Sequence, residues 1–142
     1  MDIYVDANVF ISIIFQDFGK NLEFMDLRSI EFLDDSLKCK YNLLVSDLVV
    51  EEFCEVTKLS ESDFYSLFLK NPKKLRVVYV TERNMRLSKT LINNKLVGGR
   101  KDAVHASVAI DNNSAVICTW NKRDFLNLET KFPIIIRTPS EL

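Results

Sequence analysis

Short apolar runs alternate with amphipathic segments along the whole chain. Ile3-Tyr4-Val5 is β-branched and aromatic with no turn residue, the pattern of a strand buried on both faces. It ends in an acid, Asp6, and after Ala7 and Asn8 the apolar segment Val9 to Phe15 reads as a short helix, giving a strand, a bend bearing a carboxylate, and a helix. From Asn21 to Lys40, Leu22, Met25, Ile30, Leu33 and Leu37 recur mostly three or four apart, with Asp26, Glu31, Asp34 and Asp35 between them, which predicts a long helix with solvated acids opposite an apolar stripe. Asn42 to Val45 is a second short strand, and Ser46 is suited to cap the helix after it, Asp47 to Lys58, with Leu48, Val49, Phe53 and Val56 turned inward.

The same alternation continues to the end. Ser60-Glu61-Ser62-Asp63 has the serine-to-acid spacing of a helix start, and Asn71-Pro72 stops that helix after Lys70. Leu75 to Val80 is the third strand, Thr81 caps a helix over Glu82 to Asn93, and Gly98-Gly99 supplies a turn. Asp102 then opens a helix rich in small residues, Ala103, Ala106, Ser107 and Ala109, which can lie close against a sheet. Ala115 to Thr119 is the fourth strand, Asn121 to Leu128 a short helical or turn segment, and Ile134 to Ile136 the fifth strand. Strands alternating with helices predict a parallel sheet covered on both faces.

Composition narrows the class. At 142 residues and 47% apolar, the chain is expected to be a single domain, residues 1–142, with a real core. The net charge of −1 supplies no global attraction to nucleic acid or anionic membrane, so a phosphate-bearing partner would need a local basic patch or metal ions. The cysteines, Cys39, Cys54 and Cys118, are odd in number and match neither a disulfide framework nor a zinc spacing, which reads as reduced core cysteines of a cytosolic protein. No leader pattern or run of about 20 apolar residues is present, so the expectation is a soluble, cytoplasmic protein with no membrane partner.

Four acids do not fit a solvated role. Asp6 ends a buried strand, Glu52 is embedded in an apolar helix, Asp102 heads a tightly packed helix, and Asp124 follows the fourth strand just before Phe125. In a parallel α/β sheet, strand ends and the starts of the following helices share one edge, where ligands bind, so these four can converge there. Clustered carboxylates repel one another unless a cation neutralises them, and all-oxygen ligation favours Mg2+ or Mn2+ over zinc.

At this point the motifs become specific. Asp6-Ala7-Asn8-Val9, the stretch from Ser46 through Glu52-Phe53, Asp102-Ala103-Val104-His105-Ala106, and Thr119-Trp120-Asn121-Lys122-Arg123-Asp124-Phe125 resemble, in order, the successive motifs of the PIN domain family. The likeness spans nearly the whole chain and is greatest to the small VapC-type toxins of toxin–antitoxin pairs, which are Mg2+-dependent ribonucleases. It implies a three-layer α/β/α fold with a central parallel sheet of about five strands. It also implies an endonuclease that hydrolyses RNA phosphodiester bonds by metal-assisted attack of water. Asp6 and Asp102 would be the main metal ligands, and Glu52 and Asp124 would complete the set directly or through water. Homodimers and an inhibitory antitoxin protein are further expectations of the resemblance.

Two departures from the family pattern stand out. Where many relatives carry an acid two residues after the threonine, this chain has Asn121, so Asp124 is the alternative fourth carboxylate. Glu51 adjoins Glu52, but one helical step turns a side chain by ~100°, so only one of them faces the site, and the motif favours Glu52. Other residues keep two readings. Asn8 orients a ligand or phosphate, or merely makes the turn; Thr119 holds the site by its hydroxyl, or merely ends a strand. Arg100, Lys101, Lys122 and Arg123 grip an RNA backbone or are solvated, and Trp120 stacks on a base or packs against a neighbour. His105, the sole histidine, reads as a hydrogen-bonded packing residue, so metal-free acid–base cleavage is the poorer explanation.

Three other readings compete. A haloacid-dehalogenase-like phosphatase would need an acid where Asn8 stands, and a receiver domain would need a phospho-accepting Asp after the third strand, where Val80-Thr81-Glu82 has none. The serious alternative is a catalytically weak or silent PIN-like module that binds RNA or protein, because Asn121 thins the acidic cluster.

Overall fold

In the computed structural model, residues 1–16, 24–38, 40–70 and 72–142 are described. Strand β1 (Asp2–Val5) leads into helix α1 (Ala7–Phe15), followed by α2 (Met25–Leu37), β2 (Asn42–Ser46), α3 (Asp47–Thr57) and α4 (Glu61–Phe68). The second half holds β3 (Leu75–Val78), α5 (Glu82–Asn93), α6 (Arg100–Asp111), β4 (Val116–Cys118) and β5 (Ile135–Arg137), with short 3-10 turns at Lys122–Asp124, Leu126–Thr130 and Pro139–Glu141.

The strands form one parallel sheet in the order β3-β2-β1-β4-β5, the α/β architecture that the alternating pattern predicts. From β1 the chain crosses to β2 on one side and β4 lies on the other. Strand order therefore reverses between β1 and β4, and a crevice opens outside their carboxyl ends. Register aligns the two ends, pairing Val5 with Cys118, and the Asp6 N–H donates to the Cys118 carbonyl at 3.0 Å. Asp6 and Thr119 thereby leave the sheet side by side.

Two helical groups cover the sheet. In one, α1 packs on α2 and α3, and α3 on α4; in the other, α5 packs on α6. The first encloses an aromatic cluster in which Phe64 meets Phe10 and Phe53 at ring separations of 5.1 Å, with all three rings buried. The second rests on α6, where Ala103, Ala106 and Ala109 are fully buried as the small-residue pattern anticipated. The helix caps at Ser60 and Thr81 form as expected, each as a reciprocal capping box, with Asp63 and Asn84 respectively.

Other expectations are corrected. Within α2 the buried positions are Ser29, Phe32 and Ser36, whereas Ile30 and Leu37 are exposed. Hydrogen bonds explain the inversion: Ser29 Oγ pairs with Ser12 Oγ at 2.9 Å and accepts from Trp120 Nε1 at 3.0 Å. Small hydroxyls thus seat α2 on α1, and Ile30, Leu33 and Leu37 line a surface groove with Ile13, Ile14 and Leu67. In α3, Val50 is buried in place of Val56, which is 50% exposed. Ser46 occupies the cap position of α3, but its hydroxyl makes no cap bond. Helix α6 begins at Arg100, which places Asp102 third in the helix. Strand β3 ends at Val78, which pairs with Ser46 at the end of β2, and beyond it the Val80 N–H donates to the Asp47 carboxylate at 2.9 Å. Leu22, Cys39, Asn71 and the start of the helix expected from Asn21 lie outside the described residues. Cys54 and Cys118 are free thiols, and among the described residues no helix is long and apolar enough to cross a membrane.

Candidate functional site

Asp6 is the hub of the crevice. Its Oδ1 accepts the Ala7 N–H at 2.7 Å, capping α1 with its own side chain, while Oδ2 accepts from Thr119 Oγ1 at 2.8 Å and Asn8 Nδ2 at 3.2 Å. Asn8 is more than a turn residue. Its Nδ2 also lies 3.0 Å from Thr119 Oγ1, and its Oδ1 accepts the Trp120 N–H at 3.0 Å, so one amide straps α1 to the segment after β4. Thr119 Oγ1 in turn accepts the Asn121 N–H at 3.0 Å. Thr119 thus does more than end a strand, its hydroxyl bonding to Asp6, and Trp120 packs into the core with its indole N–H on Ser29.

Helices α3 and α6 bring the next side chains. Glu52, half-buried on α3, places Oε1 3.1 Å from Nε2 of His105, which is 1% exposed and stands 3.8 Å from Asp6 Oδ1. The other ring nitrogen, Nδ1, lies 2.6 Å from the Tyr4 hydroxyl, which is itself 2.9 Å from Ser46 Oγ. Here is the reason Ser46 does not cap: its hydroxyl serves a buried chain that runs from Ser46 through Tyr4 and His105 to Glu52. Among the described residues, Asp6, Glu52 and His105 form a group whose potential metal-binding atoms all lie within 4.8 Å of one another. The 3.1 and 3.8 Å separations from His105 Nε2 match donors gathered around one ion, whose ligand atoms at ~2.1 Å stand about 3 to 4 Å apart.

Asp102 and Asp124, both partly buried, fall outside that group. Asp102 lies one turn before His105 on α6, and a Cβ on Gly99 would come within 3.6 Å of its Oδ2. Gly98 donates its N–H to the Asp124 carbonyl at 2.9 Å, and a Cβ there would come within 2.6 Å of Asp124 Oδ1. Gly98 thus leaves space for the Asp124 carboxylate, whereas the approach at Gly99 is an ordinary van der Waals contact that a side chain could make. Glu51 is exposed, as is Asn121.

Electrostatics bind the set together. Burial, then the charges of Asp124 and Asp6, raises the Asp102 carboxyl to about 6. Burial also raises Asp6, against the opposing influence of His105 and the Thr119 hydrogen bond. Burial alone would lower His105, but the Glu52 hydrogen bond and the charges of Asp6, Glu52 and Asp102 outweigh it and raise the imidazole above its usual value. Carboxylates held in this way gain from a cation. Of the nearby basic residues, Lys122 pairs with Glu141 at 2.9 Å and Lys101 lies 3.7 Å from Glu55, whereas Arg100 and Arg123 are exposed and form no ion pair among the described residues.

His105, Tyr4, Ser46 and Gly98 are the residues that the sequence reading did not place at the site. The spacing of His105 three residues after Asp102 was the available signal, since residues so placed share a helix face.

The family model of the PIN domain matches residues 3–130. The chain belongs to the PIN domain family. Its PIN fold is similar to that of several solved structures. One is VapBC2 from Rickettsia felis, bound to a DNA fragment from its promoter, with TM-score 0.64, 18% identity and coverage of 97% of this chain and 98% of that one. Another is a toxin–antitoxin complex from Klebsiella pneumoniae, with TM-score 0.66, 15% identity and 98% coverage of each chain. A third is VapC20 from Mycobacterium tuberculosis, described as a Sarcin-Ricin loop cleaving toxin, with TM-score 0.60, 11% identity and coverage of 92% and 95%. Comparison with curated proteins gives no match. At these identities the likeness to the solved chains is one of fold.

Proposed function

We propose that this PIN domain is a divalent-metal-dependent endoribonuclease that hydrolyses RNA phosphodiester bonds and acts as the toxin of a toxin–antitoxin pair. The observation that carries this reading is the grouping of Asp6, Glu52 and His105 beside the switch point of a parallel sheet, with Asp102 raised to about 6 by burial and then by the charges of Asp124 and Asp6. The family match over residues 3–130 and the similarity to toxin structures support it.

Asp6, Glu52, Asp102 and Asp124 hold the cation, Mg2+ or Mn2+, directly or through water. When bound, it supplies a water nucleophile near neutral pH and neutralises charge on the phosphate being attacked. The protein's own part is positional. Thr119 and Asn8 fix the Asp6 carboxylate, the Asn121 N–H steadies Thr119, and Arg100 and Arg123 are free to meet the RNA backbone. The whole chain acts as one domain, and its partners are RNA, an antitoxin protein and a second copy of itself, in the cytoplasm.

The test is cleavage of a structured RNA by the wild type, Asp6→Asn and Asp102→Asn with Mg2+, Mn2+ or EDTA. The reading expects cleavage by the wild type with metal and its loss in EDTA and in both variants. Metal binding without cleavage would favour a silent RNA- or protein-binding module, and equal residual cleavage in all three proteins would mark a contaminant.

A further inference from the structure

His105 is out of place in a site expected to bind its cation through oxygen alone. Its ring is 1% exposed, and Nε2 points between two carboxylates, 3.1 Å from Glu52 Oε1 and 3.8 Å from Asp6 Oδ1. An imidazole that serves only packing has no need of two acids on one nitrogen and a dedicated partner on the other. Here Nδ1 is held at 2.6 Å by the Tyr4 hydroxyl, which lies 42 residues in sequence from its second partner, Ser46, at 2.9 Å. Either oxygen of that pair can donate to the other. If Tyr4 O–H donates to Ser46 Oγ, the Tyr4 oxygen is free to accept a proton held on Nδ1, and Nε2, which donates to Glu52 while no cation is present, is the ring nitrogen left to bind one between Asp6 and Glu52. Histidine ligands of metals are characteristically braced in this way, with the far ring nitrogen donating to a fixed acceptor that sets the tautomer and the ring plane.

Resting on the metal-dependent reading above, we propose that His105 Nε2 joins Asp6 Oδ1 and Glu52 Oε1 as a direct ligand, making a mixed nitrogen–oxygen site that selects transition-metal cations such as Mn2+ over Mg2+. Nε2 lies 3.1 Å from Glu52 Oε1 and 3.8 Å from Asp6 Oδ1, separations that two ligands of one ion can have, and one ligand atom from each of the three residues lies within 4.8 Å of the others. Asp102 and Asp124 remain outside that group, placed to reach the cation through water or to serve a second one. Imidazole nitrogen is a softer donor than carboxylate oxygen and gains most from the first-row transition metals, whereas Mg2+ prefers oxygen and keeps much of its water. Tyr4 and Ser46 are positioning residues in this arrangement and touch no cation.

The experiment is pulsed electron paramagnetic resonance of Mn2+ added to the full chain, with parallel calorimetric titrations by Mn2+ and by Mg2+. The wild type is expected to show nitrogen modulation from a directly bound imidazole and at least tenfold tighter binding of Mn2+ than of Mg2+. His105→Gln is expected to lose the modulation and about tenfold in Mn2+ affinity while its Mg2+ affinity changes less than threefold. Tyr4→Phe, which keeps the buried ring, is expected to retain the modulation and to weaken Mn2+ about tenfold, the range for loss of a bracing partner. Thermal unfolding in EDTA checks that both variants are folded. Mn2+ bound by the wild type without nitrogen modulation would overturn the role of His105 and leave the oxygen-ligand reading standing; failure of the wild type to bind either cation would overturn both.

Discussion

Asp6 and Asp102 face the same crevice under opposite regimes. Asp6 is buried and fully committed: both its oxygens accept hydrogen bonds, from Ala7, Thr119 and Asn8, before any ligand arrives. Asp102 is half-buried on the first turn of α6 and, among the described residues, accepts no side-chain hydrogen bond, and burial first, then the charges of Asp124 and Asp6, works against its ionised form. One carboxylate has its position built by the fold, and the other is held near it against the cost of burial and the repulsion of its acidic neighbours. A preorganised ligand contributes geometry; a repelled one contributes affinity, because the cation relieves a strain present in its absence.

Asp6→Asn should lower RNA cleavage about 10³-fold, equivalent to about 4 kcal/mol of transition-state stabilisation, and Asp102→Asn by about 10²-fold. Single-turnover rates measure both, and a larger loss at Asp102 would reverse the proposed ranking. Thr119→Val keeps the shape of the side chain but removes its hydrogen bond to Asp6 Oδ2. It should cost 10- to 100-fold in rate, as loss of a partner that orients a metal ligand does, and ~1–2 kcal/mol in urea unfolding. Gly98→Ala acts at Asp124, since its Cβ would come within 2.6 Å of the Oδ1 atom. Displacing that carboxylate should slow cleavage about tenfold with little change in the melting temperature, and an unchanged rate would remove Asp124 from the site.

The smallest effect is on stability and has the opposite sign to a normal deletion. With its folded pKa raised to about 6 from the usual 3.8, Asp102 is least costly when protonated. Its contribution is therefore fully favourable below pH 4 and is lost as pH rises through about 6. Asp102→Asn should consequently melt higher than the wild type at pH 7 in EDTA, by ~2–5 °C, with the gap closing towards pH 4. A variant less stable at pH 7 would show that Asp102 is a structural acid and not a repelled one.

The parts legible in the sequence were those set by local pattern. Strand and helix alternation gave the parallel sheet, and the position of Asp6 after Ile3-Tyr4-Val5 placed a carboxylate at a strand end. What escaped depends on partners distant along the chain. Ser46 looked like a cap because it precedes a helix, but Tyr4 claims its hydroxyl; His105 looked like packing because its partners, Tyr4 and Glu52, are 101 and 53 residues away. The buried face of α2 departs from its apolar stripe for a related reason. Ser29 and Ser36 are polar by type, yet they pack inward once Ser12, Trp120 and the Leu33 carbonyl satisfy their hydroxyls.

Calorimetric titration of Mn2+ into wild type and Asp6→Asn, side by side in one buffer, reaches the main claim with the fewest intermediate steps. Saturable binding by the wild type that disappears in Asp6→Asn is the predicted result. Binding of equal strength to both proteins would show that the cation, if it serves the protein at all, is held somewhere other than the crevice built around Asp6.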